Sequence, residues 1–129
     1  MRERILLVAV GEHLERSQMV LIELKNATGN GSVDISAERD WAQELVPANR
    51  LYRQAAQRAG EPGVASVLDD LERVLVEIAT SPDRLENTGL EELRQRIEAQ
   101  GILFKVRVVG SQMRERELVR EAKGNWSKS

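Results

Sequence analysis

"GILFKVRVVG", the stretch from Gly101 to Gly110, fits two different periodicities. Phe104, Val106 and Val108 alternate with basic residues, which is the pattern of a half-buried strand. A second set of apolar residues recurs at helical spacing: Ile102, Val106, Val109 and Met113. The correct periodicity decides the fold class, because one places this segment in a sheet and the other places it in a long helix.

The helical alternative is favoured by an apolar stripe that enters this segment from upstream. Its members keep the spacing of one helix face: Leu90, Leu93, Ile97, Gly101, Phe104 and Val108. A strand would also need a partner, and the apolar run "ILLVAV" at residues 5–10 is itself in helical phase with Leu14 and Leu21. The pattern therefore predicts one helix over residues 89–121, in which Gly101 costs about 1 kcal/mol relative to alanine.

Three further segments carry a helical apolar stripe and are separated by turn residues. They cover residues 3–26, 36–59 and 62–80. The sequence thus predicts an all-α fold, a mostly up-and-down four-helix bundle with a long C-terminal helix. We expect the bundle domain to span residues 1–121, followed by a polar tail over residues 122–129. Four apolar residues are predicted to be buried near mid-bundle: Leu14, Leu71, Ile97 and Phe104.

The composition suits one folded domain and argues against several classes of function. The 129 residues are 41% hydrophobic, which is enough to bury a core without disulfides. The net charge of -2 argues against nucleic acid as the main partner, because binding phosphates needs an excess of Lys and Arg. The chain has no cysteine, one histidine and no glycine-rich phosphate-binding motif. We therefore predict no catalytic residue, cofactor or metal site, and a packing or surface role for His13.

The predicted C-terminal helix has two apolar faces, although one is enough to close a bundle. The second face is the candidate interface of a homodimer or higher oligomer: Ile102, Val106, Val109 and Met113. Exposed apolar patches of this size often mark interfaces, and symmetric dimers are the commonest way to bury them. The alternative is that another helix of the same chain covers this face.

Two segments resemble a known family. "RERILLVAVGEHLERSQMVLIEL" (Arg2 to Leu24) and "ILFKVRVVGSQMRERE" (Ile102 to Glu117) are similar to the C-terminal domain of membrane-anchored anti-sigma-factor-like proteins of the acidobacterial type. "WAQELVPANRLYRQAA" and "LDDLERVLVEIA", which lie between them, fit the same resemblance. It implies a cytoplasmic zinc finger that binds a sigma factor, one membrane helix, and an extracytoplasmic domain like this one. The zinc ligands and the membrane helix are absent here, so the family's known sites do not carry over to any residue.

The resemblance implies a non-enzymatic sensing or self-association domain of a transcription regulator. The abrupt apolar start of the chain fits a piece of a longer protein, and "ILLVAV" is too short to cross a bilayer. Contact with a sigma factor or a membrane would then depend on segments outside this sequence. The alternative is a free-standing cytoplasmic helical bundle that binds another protein through its C-terminal helix.

Overall fold

Helices account for most of the protein. The computed structural model describes the backbone of residues 2–127 and the side chains of residues 6–119 and 122. Its helices are α1 (Arg2–Asn26), α2 (Ser36–Arg58), α3 (Pro62–Ala79), α4 (Asn87–Ala99) and α5 (Ile102–Ser127). The predicted all-α character is confirmed, as are the first three helices. Helix α5 continues past its predicted end at residue 121, and residues 128–129 of the predicted polar tail lie outside the described residues.

A small antiparallel sheet, which the sequence did not predict, joins two of the loops. Strand β1 (Ser32–Asp34) follows α1, strand β2 (Arg84–Glu86) follows α3, and Val33 pairs with Leu85 at the centre. The backbone N–H of Ile35 extends the contact by donating to the Asp83 carbonyl at 2.7 Å. The sheet therefore fixes where α2 and α4 begin.

The core lies where the long helices meet. Helix α1 packs against α2 and α5, α2 packs against α3, and α3 contacts α5. Gly60, at φ +71°, and Pro62, at the start of α3, make the short turn that folds α3 back along α2. The apolar stripe of α1 is buried along its length: Leu7, Val10, Leu14, Ser17, Leu21 and Leu24. Burial of Leu14, Leu71 and Ile97 is confirmed.

The segment around Gly101 is helical, but the continuous helix predicted over residues 89–121 is wrong. Helix α4 ends at Ala99, and Gly101 has a φ of +59° before α5 starts at Ile102. A Cβ built on Gly101 would meet no atom within 4 Å, so crowding does not require a glycine there. The left-handed backbone does, because it is costly for residues with a side chain. Since α5 is a new helix, its buried face need not continue the stripe of α4.

The break at Gly101 exchanges the predicted inner and outer faces of the C-terminal helix. Ile102 is fully buried and Val106 is 1% exposed, whereas Phe104 is 73% exposed. The predicted burial of Phe104 is therefore wrong. The stripe that was expected to meet a second chain packs into the core of its own chain, as in the intramolecular alternative.

Candidate functional site

The outer face of α5 carries several of the large apolar side chains that the described part of the chain leaves exposed. We define it by the residues at helical spacing on the solvent side: Phe104, Val108, Ser111, Glu115 and Leu118. Phe104 is 73% exposed and Leu118 is 65% exposed, and both are large. Arg107 lies at the edge of this face and is also exposed. The face thus combines apolar ends with a polar centre and charges of both signs.

A groove opens beside the start of this face, where α4 and α5 meet the end of α1. Its cavity has a volume of about 250 Å³. The apolar part of its lining comes from three helices: Leu21 of α1, Ile97 of α4, and Leu103 and Phe104 of α5. Gly101 lies in the lining too, so the break between α4 and α5 shapes the groove.

The rim of the groove is mainly cationic. Lys25, Arg94 and Arg107 line it together with a single acid, Glu98. Arg94 is held in place, because its Nε donates to the Leu24 carbonyl at 3.1 Å and its guanidinium also bonds the Ala27 carbonyl at the end of α1. The side chains of Lys25 and Arg107 are exposed and make no hydrogen bond or ion pair within the described part of the chain. Two cations at this rim therefore remain available to a ligand.

A buried polar network at the centre of the protein contains the only histidine. The Nε2 atom of His13 lies 2.8 Å from Oδ1 of Asn49, and Nδ2 of Asn49 donates to the Leu68 carbonyl at 2.7 Å. His13 is 3% exposed and Asn49 is fully buried. The ring of Tyr52 packs at 5.1 Å from the His13 ring, tilted by 57°. The network connects α1, α2 and α3, so it contributes to their relative placement.

The bonds of Asn49 determine the proton position on His13. Because Nδ2 of Asn49 is the donor to Leu68, its Oδ1 must accept, and Nε2 of His13 must carry the proton. Burial lowers the pKa of His13 from 6.5, the Asn49 hydrogen bond opposes that shift, and the charge of Arg16 adds to it. A neutral histidine with its proton on Nε2 fits this environment, which agrees with the predicted packing role.

We expect acidification below pH 6.5 to destabilise the protein through His13. Between pH 6.5 and the lower folded-state pKa, the unfolded chain binds a proton that the folded chain does not. The free energy of unfolding therefore falls as the pH falls, by at most about 1.4 kcal/mol per pH unit. Urea unfolding at pH 7.5 and pH 5 measures this loss. The His13→Gln variant keeps an N–H donor for Asn49 but does not titrate, so it should lose less stability than the wild-type chain between pH 7.5 and pH 5. Equal losses in the two proteins would contradict the role of His13.

The predicted interface residues do not form a surface site. Ile102, Val106 and Met113 are buried in the core. Val109 is half-buried and lines a cleft with Val64 of α3. The features that the sequence analysis missed are the groove and the exposure of Phe104. Both depend on the helix break at Gly101. The glycine itself was the available sequence signal, because glycine readily adopts the left-handed conformation that ends a helix.

Two further findings concern the described residues as a whole. Among the side chains that the structure describes, those of residues 6–119 and 122, no three or more acidic or histidine groups come together as they would to hold a metal ion. None of the helices, over their described residues, combines the length and the apolar character needed to cross a bilayer. Comparison of the chain with models of protein families, with characterised proteins and with solved structures finds no match.

Proposed function

We propose that this chain is a non-enzymatic self-association domain of a membrane-anchored, anti-sigma-factor-like regulator, placed on the extracytoplasmic side. The resemblance of the α1 and α5 segments to that family supports the regulatory context. In this proposal α1, α2, α3 and α5 are the four long helices of an up-and-down bundle, and α4 is a short side helix. The observation that carries self-association is the exposed outer face of α5.

The occupant of that face is a second copy of the chain. Phe104 and Leu118 lie 14 positions apart, about 21 Å along a helix at 1.5 Å per residue. In an antiparallel pair of α5 helices centred on Ser111, Phe104 lies at the level of Leu118 of the second copy. The same symmetry operation covers both apolar ends at once, as expected of a two-fold interface.

The charges at the edge of the face favour the same arrangement. In an antiparallel pair centred on Ser111, Arg107 lies at the level of Glu115 of the second copy, so that opposite charges are near each other. A parallel pair would instead place Arg107 beside its own equivalent, which is repulsive. Ser111 is small and lets the two helices approach at the centre. Complementary charges of this kind fix orientation more than they add affinity.

Light scattering tests the proposal directly. We expect the chain at about 100 μM to have the mass of two copies, and Leu118→Glu to weaken self-association at least tenfold, because it buries a carboxylate against Phe104. Leu51→Glu is the matched control, since Leu51 is 64% exposed on α2, away from this face. A monomeric wild-type chain, or equal weakening by both substitutions, would contradict the proposal.

A further inference from the structure

We propose that the groove between α1, α4 and α5 binds a small apolar carboxylate, of the size of a medium-chain fatty acid. The groove shares Phe104 and Arg107 with the outer face of α5, so a second copy and a ligand would compete there. The inference nevertheless does not rest on self-association, because Lys25, Leu21 and Ile97 lie outside that face. It rests on the shape of the groove, on its apolar lining and on the charge of its rim.

The size of the groove sets the size of the ligand. The cavity of about 250 Å³ lies just below the usual range for drug-sized ligands, so a long or branched molecule would extend beyond the groove. A medium-length acyl chain suits this size, with its carboxylate left at the rim.

The lining of the groove favours an apolar chain. Leu21 and Ile97 are buried at its base, and Leu103 is half-buried. Phe104 lines it while remaining 73% exposed. An acyl chain placed between Ile97 and Phe104 removes part of the aromatic ring from water, and each methylene group that it buries adds to the free energy of binding. A fully polar ligand would leave this surface uncovered.

The rim of the groove favours an anion over a neutral or cationic head group. Lys25 and Arg107 line the groove and have no partner among the side chains that the structure describes. Arg94 is fixed by the end of α1 and is paired with Glu91 at 3.6 Å, so its charge is partly compensated. Glu98 is the single opposing charge in the lining. A carboxylate can accept charge-assisted hydrogen bonds from an ammonium and a guanidinium at once. An ammonium head group would instead be repelled by Lys25 and Arg107.

Titration of the protein with sodium octanoate, followed by amide shifts in two-dimensional NMR spectra, tests the inference. We expect saturable binding at one site, with a dissociation constant on the order of 1 mM or tighter for about ten non-hydrogen atoms. The shifts should centre on Gly101 to Arg107 and on the last turn of α1. Octanol, which has the same chain without the charge, should bind at least fivefold more weakly.

Two substitutions with the same change of charge separate binding at this site from a general effect of the protein's net charge on anions. Lys25→Glu should weaken octanoate binding at least fivefold. Lys105→Glu should change it less than twofold, because Lys105 lies on the α3 side of α5, 3.2 Å from Asp70. Leu118→Glu should not weaken octanoate binding, because Leu118 lies outside the groove and a second copy no longer competes for Phe104 and Arg107. A failed self-association proposal shows in light scattering and a failed ligand proposal in the titration, so the two failures are distinguishable.

Three results would overturn the inference. They are non-saturable shifts spread over the whole surface, equal binding of octanoate and octanol, and equal effects of Lys25→Glu and Lys105→Glu. Binding to vesicles of an anionic lipid without binding of free octanoate would overturn it as well, because the groove would then belong to a membrane-contacting surface.

Discussion

Replacing Ile102 by alanine is expected to lower the free energy of unfolding by about 2–5 kcal/mol, as large-to-small changes in cores do. Phe104→Ala removes a larger side chain but is expected to cost less than about 1 kcal/mol. The reason is burial, since Ile102 is fully buried and Phe104 is 73% exposed. A continuous C-terminal helix with Phe104 in the core would predict a loss of about 3–5 kcal/mol for Phe104→Ala.

Urea unfolding followed by circular dichroism measures both losses. Both substitutions should be made in the Leu118→Glu variant, in which self-association is weakened. The measured free energy of unfolding then contains no contribution from a contact of Phe104 with a second copy. Val106→Ala should behave like Ile102→Ala with a smaller loss, since Val106 is also buried and is a smaller side chain. A larger loss for Phe104→Ala than for Ile102→Ala would refute the exchange of faces at Gly101.

The positions of α1, α2 and α3 could be predicted because each carries one apolar stripe with clear ends. Continuity of phase was a sound argument within α1, where Gly11 lies inside the helix. The same argument failed at Gly101. A left-handed glycine ends one helix and lets the next begin with a different face inward, so the phase of Leu90 and Ile97 does not carry through to Phe104.

The small sheet could not be predicted from local pattern. Its strands have three residues each, and Ser32 pairs with Glu86 across a long separation in the chain. Segments this short carry too few residues for a period of two to be recognised. Their pairing depends on the packing of α2 against α3, which brings the loop before α2 next to the loop after α3.

The candidate groove lay beyond sequence reasoning for a related reason. Its lining joins residues as distant as Leu21 and Arg107, and it forms only where Gly101 turns the chain. Nothing in the sequence distinguishes Lys25 and Arg107 from other charged residues. Only the structure shows that they lie near an exposed Phe104 and that neither has a partner among the described side chains.

Replacing Asn49 by leucine is expected to lower the free energy of unfolding by about 2–4 kcal/mol. Leucine has nearly the shape of asparagine, so the change creates little cavity and acts mainly through hydrogen bonds. It leaves the Nε2 proton of His13 without an acceptor in a buried site, which costs about 1–3 kcal/mol. It also removes the hydrogen bond that Nδ2 of Asn49 donates to the Leu68 carbonyl. That loss is the smaller one, because the carbonyl lies inside helix α3.

The double variant His13→Leu with Asn49→Leu isolates the hydrogen bond from the change in shape. Removing both partners eliminates the stranded donor, so the double variant should be more stable than Asn49→Leu alone, despite carrying one more substitution. The comparison uses urea unfolding at pH 7.5, where His13 is mostly neutral in both the folded and the unfolded chain. Its titration therefore does not contribute to the differences between variants. If the losses of the two single variants simply add in the double variant, the pair is not coupled, and the bond between His13 and Asn49 does not stabilise the packing of α1 on α2.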